Sequence, residues 1–323
     1  MSSQHDTPSQ NGSGDLLADR RYRYAEACLT EGDAQAAVEM AEQALERSPR
    51  YAAAWILLGR AREYLHVQSG DRGQFHGALR AYAAARDLDP GDALGTQVHL
   101  ARLGAGAGLP ALSPAYVRAL FDAYAARFER HLVDGLGYRG PAILRAALDA
   151  LPEAPARYGA ALDLGCGTGL MGEALKGRID RLTGIDLSPA MLALAHRKGC
   201  YDRLVEGDVA GFLGQEPAGS ADLCLAADVF IYVADLPAML AAIARVLRPG
   251  ALAAFTVQSH DGEGAVLGVD GRYAQADGHL EGAAAEAGLD RLVLAPAIIR
   301  REQGRAVEGR VAVLRRRNHA CAP

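Results

Sequence analysis

The stretch ALDLGCGTGL, residues 161–170, is the feature that most restricts what this chain can fold into. An apolar run passes directly into three glycines at alternate positions, Gly165, Gly167 and Gly169. Glycine allows a tight backbone turn and lets a ligand approach the backbone closely. The pattern therefore predicts a strand, a ligand-binding turn and then a helix.

The flanking sequence repeats this alternation of strand-like and helix-like segments, which is typical of a mostly parallel sheet covered on both faces. We predict an α/β domain over residues 115–323 with a Rossmann-like, seven-stranded, mostly parallel sheet. A lid helix at 115–135 opens the domain. The predicted strands cover residues 160–164, 181–186, 203–206, 221–227, 250–258, 291–296 and 309–315.

Three aspartates near the ends of the first three strands indicate the ligand. Asp163 precedes the glycines, where a carboxylate repels a phosphate and attracts an ammonium group. Asp186 ends the second strand, where an acidic side chain accepts hydrogen bonds from both ribose hydroxyls. Asp208 follows the third strand, where its carboxylate can accept a hydrogen bond from the exocyclic amine of an adenine. S-adenosylmethionine carries an amine, a ribose and an adenine without a phosphate, whereas the glycine spacing departs from the dinucleotide pattern G-x-G-x-x-G of dehydrogenases.

Residues 115–316 resemble the class I S-adenosylmethionine-dependent methyltransferases. Five segments occur in the order and at the spacing found in that family. They are ALDLGCGTGL, LTGIDLSPAML, EGDV, ADLCLAADVFIYVADL and ARVLRPGALAAFTV. The resemblance implies S-adenosylmethionine as cofactor and transfer of its methyl group by in-line displacement. It implies these cofactor contacts: Asp163, Gly165, Cys166, Gly167 and Gly169 at the methionine portion, Asp186 at the ribose, Leu187 and Met191 around the adenine, Asp208 and Val209 at its edge, Ala227 and Asp228 beside the methyl, and Tyr124 and Phe128 in the lid.

The catalytic residues are not identified by the sequence, because methyl transfer needs mainly alignment of the acceptor, and a base only if the acceptor must lose a proton. His260, after the fifth strand, and Asp228 are the candidates. Gln275 stands where the relatives tend to have histidine in R-Y-A-H, so substrate choice or activity is open there.

Simpler interpretations stand beside these roles. Each aspartate also suits a helix N-cap, Asp208 most of all. Tyr124 and Phe128 equally suit core packing, and Cys166 suits a small filler. His260 also suits a solvated loop.

An alanine-rich helical region precedes this domain and repeats itself. AAVEMAEQALERSP and GALRAYAAARDLDP carry small residues and a final proline at the same offsets, and Trp55 opens a W-x-x-L-G pattern between them. This resembles the tetratricopeptide repeat, and bacterial methyltransferases that carry such repeats are the most similar family. About seven extra residues around LHVQSGD are expected between two helices, and Arg62 stands where an aromatic is usual. A generic set of alanine-rich helical hairpins is the alternative.

We therefore predict repeats over residues 16–105, with a final single helix as a possible cap of the stack. A disordered tail at 1–15 precedes them, and a Gly/Pro linker at 106–114 follows.

Composition restricts the partners and the location. A net charge of −5 gives no reason to expect a nucleic-acid partner. Five scattered cysteines without a C-x-x-C pair argue against a disulfide framework or metal site and fit a reducing cytoplasm. No apolar run approaches the ~20 residues that span a membrane.

The acceptor is left open. The helical repeats predict a protein partner or protein substrate bound in their groove. The alternatives are a small-molecule acceptor, with the repeats used for dimerisation or stability, and a scaffold that binds the cofactor but has lost turnover. The oligomeric state is not predicted.

Overall fold

A computed structural model describes residues 12–104, 112–268, 271–302 and 305–318. Most of the predicted tail at 1–15 and of the predicted linker at 106–114 lies outside the described residues. The chain divides into two compact units, Met1–Tyr116 and Val117–Pro323, each described by itself below. The domain bounds given above stay predictions.

The N-terminal unit is a series of antiparallel helices with short connections. Aspartates at the N-caps of the first two helices accept hydrogen bonds from the first free backbone N–H groups, as Asp15 does from Leu17 and Ala18. Gly32, in the left-handed conformation, ends the first helix. The helices are α1 (Leu16–Glu31), α2 (Ala34–Arg47), α3 (Ala52–Ser69), α4 (Arg72–Leu88) and α5 (Thr96–Arg102).

Small residues let these helices approach one another closely. The repeated alanines of α2 and α4 are buried, and Gly59 of α3 faces the ring of Tyr82 in α4. A Cβ atom at Gly59 would lie 2.5 Å from that ring. The Tyr82 hydroxyl donates a hydrogen bond to Glu63 Oε2 at 2.8 Å, and its ring stacks on His99 of α5 at 4.8 Å. Tyr82 is thus the centre of the second helix pair.

The extra residues of the second repeat lie elsewhere than predicted. The segment Leu65–Asp71 was expected between two helices, but its first five residues form the last turns of α3. Only Gly70 and Asp71 connect α3 to α4. The insertion is helical because it contains no proline and because Gly70, with φ 71°, supplies the stop signal only at its end. Arg62, in place of the usual aromatic, packs against Gly77 and forms an ion pair with Glu42.

The C-terminal unit is built on one sheet that contains all seven predicted strands. Its central part has the order β3-β2-β1-β4-β5, all parallel, and β5 continues antiparallel to β9, which pairs with β8. The α/β prediction is therefore confirmed. The strands are β1 (Tyr158–Leu164), β2 (Ile179–Asp186), β3 (Arg203–Glu206), β4 (Ala221–Ala226), β5 (Leu247–Ser259), β6 (Ala265–Leu267), β7 (Tyr273–Gln275), β8 (Leu289–Glu302) and β9 (Arg305–Arg316).

Two short strands were missed, because three residues are too few to show a period. β6 and β7 pair with each other, and β7 adds to the end of β5 at Gln258 and Ser259. β4 pairs with β5 only as far as Phe255, so β7 extends the sheet beyond the end of β4. This extension forms one wall at the carboxyl edge of the sheet.

Helices cover both faces of the sheet. One core contains Leu164, Phe230 and Phe255, and the other contains Leu144, Tyr158 and Leu223. The helices are α6 (Pro114–Tyr124, which begins before Val117), α7 (Gly140–Asp149), α8 (Leu170–Ala174), α9 (Pro189–Lys198), α10 (Val209–Gln215), α11 (Leu236–Val246) and α12 (Asp277–Glu286). None of the helices in the described ranges has the length and apolar character needed to cross a membrane.

The predicted lid helix at 115–135 is helical but not uniform. After α6, the chain forms a 3-10 turn at Ala125–Arg127 and a π-helical turn at Arg130–Gly135. Such changes of helical pitch alter the direction of the side chains that follow them.

The strand order reverses between β1 and β4, and in sheets of this kind ligands bind at the carboxyl ends of the strands beside that point.

Candidate functional site

The glycine-rich loop follows β1 at the point where the strand order reverses. Gly165, Gly167 and Gly169 have φ values of 66°, 53° and 90°, which other residues rarely adopt. A Cβ atom at Gly165 would lie 2.6 Å from Val229, whereas one at Gly167 would meet nothing within 4 Å. Gly165 therefore allows close packing against the residues after β4, and Gly167 presents its backbone to open space.

Asp186, at the end of β2, holds this loop in place. Its Oδ2 accepts a hydrogen bond from the Gly167 N–H at 2.9 Å, and its Oδ1 accepts one from the Ser188 N–H at 2.9 Å. Burial raises the pKa of Asp186, and these backbone hydrogen bonds oppose the rise. In a dinucleotide site an N–H group of such a loop would face a phosphate. Here the Gly167 N–H is directed at the Asp186 carboxylate.

Asp163, in β1, lies beneath the loop and is 1% exposed. Its Oδ2 accepts a hydrogen bond from the Tyr201 hydroxyl at 2.6 Å. Burial raises the pKa of Asp163 to about 7; the Tyr201 hydrogen bond opposes the rise and the nearby Asp186 charge adds to it. Two of the three predicted carboxylates are therefore close enough to interact.

Asp208, the third predicted carboxylate, is exposed and caps α10, where it accepts a hydrogen bond from the Gly211 N–H at 2.7 Å. The simpler interpretation of this residue is thus observed, and its adenine contact stays a prediction. Leu187 and Val209 are half-buried near the ends of β2 and β3, and Met191 is fully buried in α9.

Cys166 is buried within the loop. Burial raises the pKa of its thiol, and the charges of Asp163 and Asp186 add to that rise. A thiol held in its neutral form is a poor nucleophile. Cys166 therefore fills space in the loop, as the simpler interpretation expects.

The segment after α6 and α6 itself lie across the ends of β2 and β3. Asp122 Oδ1 accepts a hydrogen bond from the Ser188 hydroxyl at 2.5 Å, and Arg118 forms an ion pair with Glu206 at 2.8 Å. Farther along, Glu129 forms an ion pair with Lys198 at 2.7 Å. Sequence reasoning did not find these anchors, which join residues far apart in the chain.

The predicted lid aromatics belong to an aromatic cluster. The Tyr124 and Phe128 rings lie 5.3 Å apart, and Phe128 contacts Phe121 at 6.1 Å. Phe121 meets the ring of Tyr232, which follows β4, edge to face at 5.6 Å. Tyr124 and Phe128 are half-buried and pack within this cluster, as the simpler interpretation expects, and their place in a lid stays a prediction.

Asp228 follows β4 and is paired with a buried arginine. Arg300 Nη1 donates hydrogen bonds to both of its carboxylate oxygens, at 3.0 and 2.8 Å. Asp228 has a φ of 62°, and its N–H donates to Thr256 Oγ1 at 2.9 Å. The Arg300 side chain is 1% exposed, so this is a desolvated ion pair beside Ala227 at the carboxyl edge of the sheet.

The Tyr138 hydroxyl lies close enough to Asp228 and Asp163 for their charges to act on it. Its segment is fixed to β8 because the Arg139 N–H donates to the Ile299 carbonyl and the Arg301 N–H donates to the Leu136 carbonyl. Burial raises the pKa of the Tyr138 hydroxyl, and the charges of Asp228 and Asp163 add to the rise. Neither Tyr138 nor Arg300 carried a motif signal in the sequence.

The His260 side chain forms hydrogen bonds within its own loop. The Gly262 N–H donates to its Nδ1 at 3.0 Å, and its Nε2 lies 3.2 Å from the Gly264 carbonyl oxygen. Both ring nitrogens are therefore engaged, which disfavours a role as general base. Gln275 is buried in β7 beside the end of β5.

Comparison with known proteins identifies both parts of the chain. Residues 162–255 match the family model described as the methyltransferase domain. We call the C-terminal unit, which contains this match, the methyltransferase domain. Residues 18–61 match the family model of the tetratricopeptide repeat. The predicted resemblance is thereby confirmed for the glycine-rich loop and the strands that follow it, and for the first helices of the N-terminal unit.

The methyltransferase domain has relatives of several kinds. The malonyl-[acyl-carrier protein] O-methyltransferase of Serratia marcescens is 36% identical over 95 residues, which are 29% of this chain and 36% of that protein. Methyltransferase-like protein 27 of Homo sapiens is 31% identical over 167 residues, which are 50% of this chain and 64% of that protein. The chain thus spans less than two thirds of either relative.

A solved structure shows the same fold. The crystal structure of the [4+2]-cyclase SpnF has a TM-score of 0.52 and 18% identity, over 65% of this chain and 99% of that one. Because that protein is named for a cyclisation, the fold of the methyltransferase domain does not by itself determine the reaction. The reaction must be argued from the site.

Proposed function

We propose that the methyltransferase domain transfers the methyl group of S-adenosylmethionine to an acceptor. The contact of the Gly167 N–H with Asp186, above the buried Asp163, carries this proposal. Two carboxylates at the loop disfavour a pyrophosphate and favour a cationic, phosphate-free ligand. The match to the methyltransferase family supports the same conclusion.

The loop residues fit such a cofactor. Gly167 offers backbone to open space, and Gly165, Cys166 and Gly169 complete the turn, so we assign this loop to the methionine portion. Asp163 would bind the ammonium group and Asp186 the ribose hydroxyls. We also keep the following contacts as proposals: Leu187, Met191, Asp208 and Val209 around the adenine, Ala227 beside the methyl, and Tyr124 and Phe128 in the lid.

When bound, the cofactor supplies an electrophilic methyl group on a neutral leaving group. The protein's own contribution is then alignment of the acceptor and exclusion of water. The aromatic cluster of Phe121, Tyr124, Phe128 and Tyr232 lies at the crevice and would perform the second task.

The candidate bases are already engaged, which limits the acceptor. Asp228 is bonded to Arg300 through both oxygens, and His260 is bonded within its loop. We therefore propose an acceptor that is nucleophilic without losing a proton to the enzyme, such as a carboxylate or a neutral amine. The rate of such a transfer would show no rising limb governed by an enzyme base.

Binding of the cofactor product tests the proposal directly. We expect calorimetry to show that the protein binds S-adenosylhomocysteine and not NAD. Asp186→Ala should weaken binding by about 100-fold, because charge-assisted hydrogen bonds of about 1.5–3 kcal/mol are lost. Asp180→Ala is the matched control, since Asp180 is an exposed carboxylate at the opposite end of the same strand. Unchanged affinity in Asp186→Ala would reject the ribose assignment, and binding of NAD would reject the function.

The N-terminal unit suggests how the acceptor is recruited. A cavity of about 350 Å³ lies among α2, α3 and α4, lined by Trp55, Leu58, Arg62 and Arg80 together with Glu42 and Glu46. Tetratricopeptide repeats suggest protein interaction. We propose that this unit binds a protein partner or substrate. We also propose a cytoplasmic location, supported by the scattered cysteines of the described residues, all four of which are free thiols.

Labelled methyl groups distinguish a protein acceptor from a small one. Incubation of the protein with S-adenosylmethionine labelled in its methyl group and a cell lysate should place label on macromolecules. Asp186→Ala serves as the control with weakened cofactor binding and should transfer less label. Label found only in small molecules would favour a small-molecule acceptor and leave the repeats a structural role.

A further inference from the structure

Tyr201 is a buried aromatic residue beneath the glycine-rich loop. It follows α9 and precedes β3, and its ring contacts three glycines from different elements. Cβ atoms at Gly169, Gly172 and Gly184 would lie 3.1, 2.9 and 2.8 Å from the ring. The loop, the helix after it and the neighbouring strand thus all lack side chains where they meet Tyr201. The glycines at these positions make room for this ring.

The hydroxyl of Tyr201 links β1 to α8, the helix after the loop. It donates a hydrogen bond to Asp163 Oδ2 at 2.6 Å and accepts one from the Gly172 N–H at 3.2 Å. Burial, followed by the Asp163 charge, raises the pKa of the Tyr201 hydroxyl. The proton therefore stays on Tyr201, and the carboxylate is the acceptor.

Asp163 depends on this contact. Burial disfavours a charge on Asp163, and the nearby Asp186 carboxylate adds to this effect. The Tyr201 hydroxyl is the group that lowers the pKa of Asp163 against burial. A hydrogen bond to a charged group contributes about 1.5–3 kcal/mol.

We propose that Tyr201 is a positioning residue of the cofactor site, which fixes the glycine-rich loop through its ring and, through its hydroxyl, favours and orients the ionised form of Asp163 that would bind an ammonium group. This inference rests on the proposed function. It assigns a role to a residue that belongs to none of the glycine or aspartate motifs and does not itself reach the ligand.

The substitution Tyr201→Phe isolates the hydroxyl, since the ring that fills the space beside the glycines is kept. At pH 7 we expect the affinity for S-adenosylhomocysteine, measured by calorimetry, to fall by about 10- to 100-fold, the equivalent of the lost hydrogen bond. At about pH 8.5 the loss should shrink, because the higher pH ionises a growing fraction of Asp163 even without the hydrogen bond. The pH at which the affinity is half lost should therefore be higher in the variant.

Two further variants keep the test decisive. Tyr158→Phe is the matched control, because Tyr158 is a fully buried tyrosine at the other end of β1, and its affinity should equal that of the wild type. In an Asp163→Asn background, Tyr201→Phe should cost little additional affinity, because no carboxylate remains to be held.

The outcomes separate the two proposals. An equal loss of affinity for Tyr201→Phe at every pH would reduce Tyr201 to a packing role and overturn this inference, as would no loss at pH 7. A wild-type protein that does not bind S-adenosylhomocysteine would instead overturn the proposed function.

Discussion

The two units of this chain bury different kinds of groups. The N-terminal unit buries mainly alanine, glycine and apolar side chains, and its helices meet closely at contacts such as Gly59 against Tyr82. The C-terminal unit buries ionisable groups at one edge of its sheet, Asp163 and Arg300 among them. Small residues allow the close helix packing typical of repeat proteins, whereas buried ionisable groups are typical of functional sites, which agrees with the roles proposed for the two units.

The same difference predicts opposite responses to pH. In the C-terminal unit, Asp163 resists ionisation because it is buried. In the N-terminal unit, His99 resists protonation for the same reason, and the charges of Arg102 and Arg60 add to the effect. One unit should therefore gain stability in mild acid where the other loses it.

Replacement of Asp163 should give the largest effect. The pKa of Asp163 is raised from 3.8 to about 7, so the folded unit prefers the neutral carboxyl and its stability falls as the pH rises from about 4 to about 7. In Asp163→Asn this loss disappears. The variant should exceed the wild type by at most about 4 kcal/mol above pH 7 and by almost nothing near pH 4. Hydrogen exchange of peptides from β1 measures the difference within this unit.

The same variant should bind S-adenosylhomocysteine more weakly, so stability and ligand binding would change in opposite directions. Asp235→Asn is the control, because Asp235 is exposed, caps α11 and has no assigned contact with the ligand, and asparagine caps a helix equally well. A stability difference that is constant with pH would show that Asp163 titrates as an ordinary carboxyl.

Acid should affect the N-terminal unit in the opposite direction. The pKa of His99 is lowered from 6.5 to about 4, so stability is complete above pH 6.5 and is lost as the pH falls toward 4. The loss should reach about 2 kcal/mol by pH 5. His99→Phe keeps the stacking on Tyr82 and should remove this dependence. Trp55 is the single tryptophan of the chain, so its fluorescence during urea unfolding reports on this unit alone.

His76→Phe controls for the loss of a histidine, since His76 is exposed on α4 of the same unit. Its unfolding should keep the acid sensitivity of the wild type. The same sensitivity in His99→Phe would place its origin in another group.

Close packing around glycine gives a smaller effect of unusual sign. Alanine in place of a helical glycine normally stabilises by about 1 kcal/mol. At Gly59 the added methyl would lie 2.5 Å from the Tyr82 ring, so Gly59→Ala should instead destabilise by about 1–3 kcal/mol. Thermal unfolding followed by Trp55 fluorescence measures this change.

The matched control is Gly282→Ala in the other unit. Gly282 is exposed in α12, and nothing lies within 4 Å of its added Cβ, so this change should raise stability. If Gly59→Ala and Gly282→Ala changed the stability in the same direction, close helix contacts would not distinguish the two units.

Local patterns predicted the elements well, and long-range contacts less well. The alternation of segments gave all seven main strands, and the glycines and Asp186 indicated the edge where the ligand would bind, because each of these signals lies at or directly after the end of a predicted strand. Tyr201 acts on Asp163 across 38 residues, and Arg300 acts on Asp228 across 72. No periodicity reports such contacts. The glycines at 172 and 184 were the available signal for Tyr201, since an unexplained glycine in a helix or strand indicates close approach of another group.

Ser188 carries a consequence for how α6 can move. Its hydroxyl accepts the Met191 N–H in the first turn of α9 and donates to Asp122 of α6. One hydroxyl group therefore both caps the N-terminus of α9 and attaches α6 to α9. Movement of α6 away from α9 would therefore have to break a hydrogen bond made by the same hydroxyl group that caps α9.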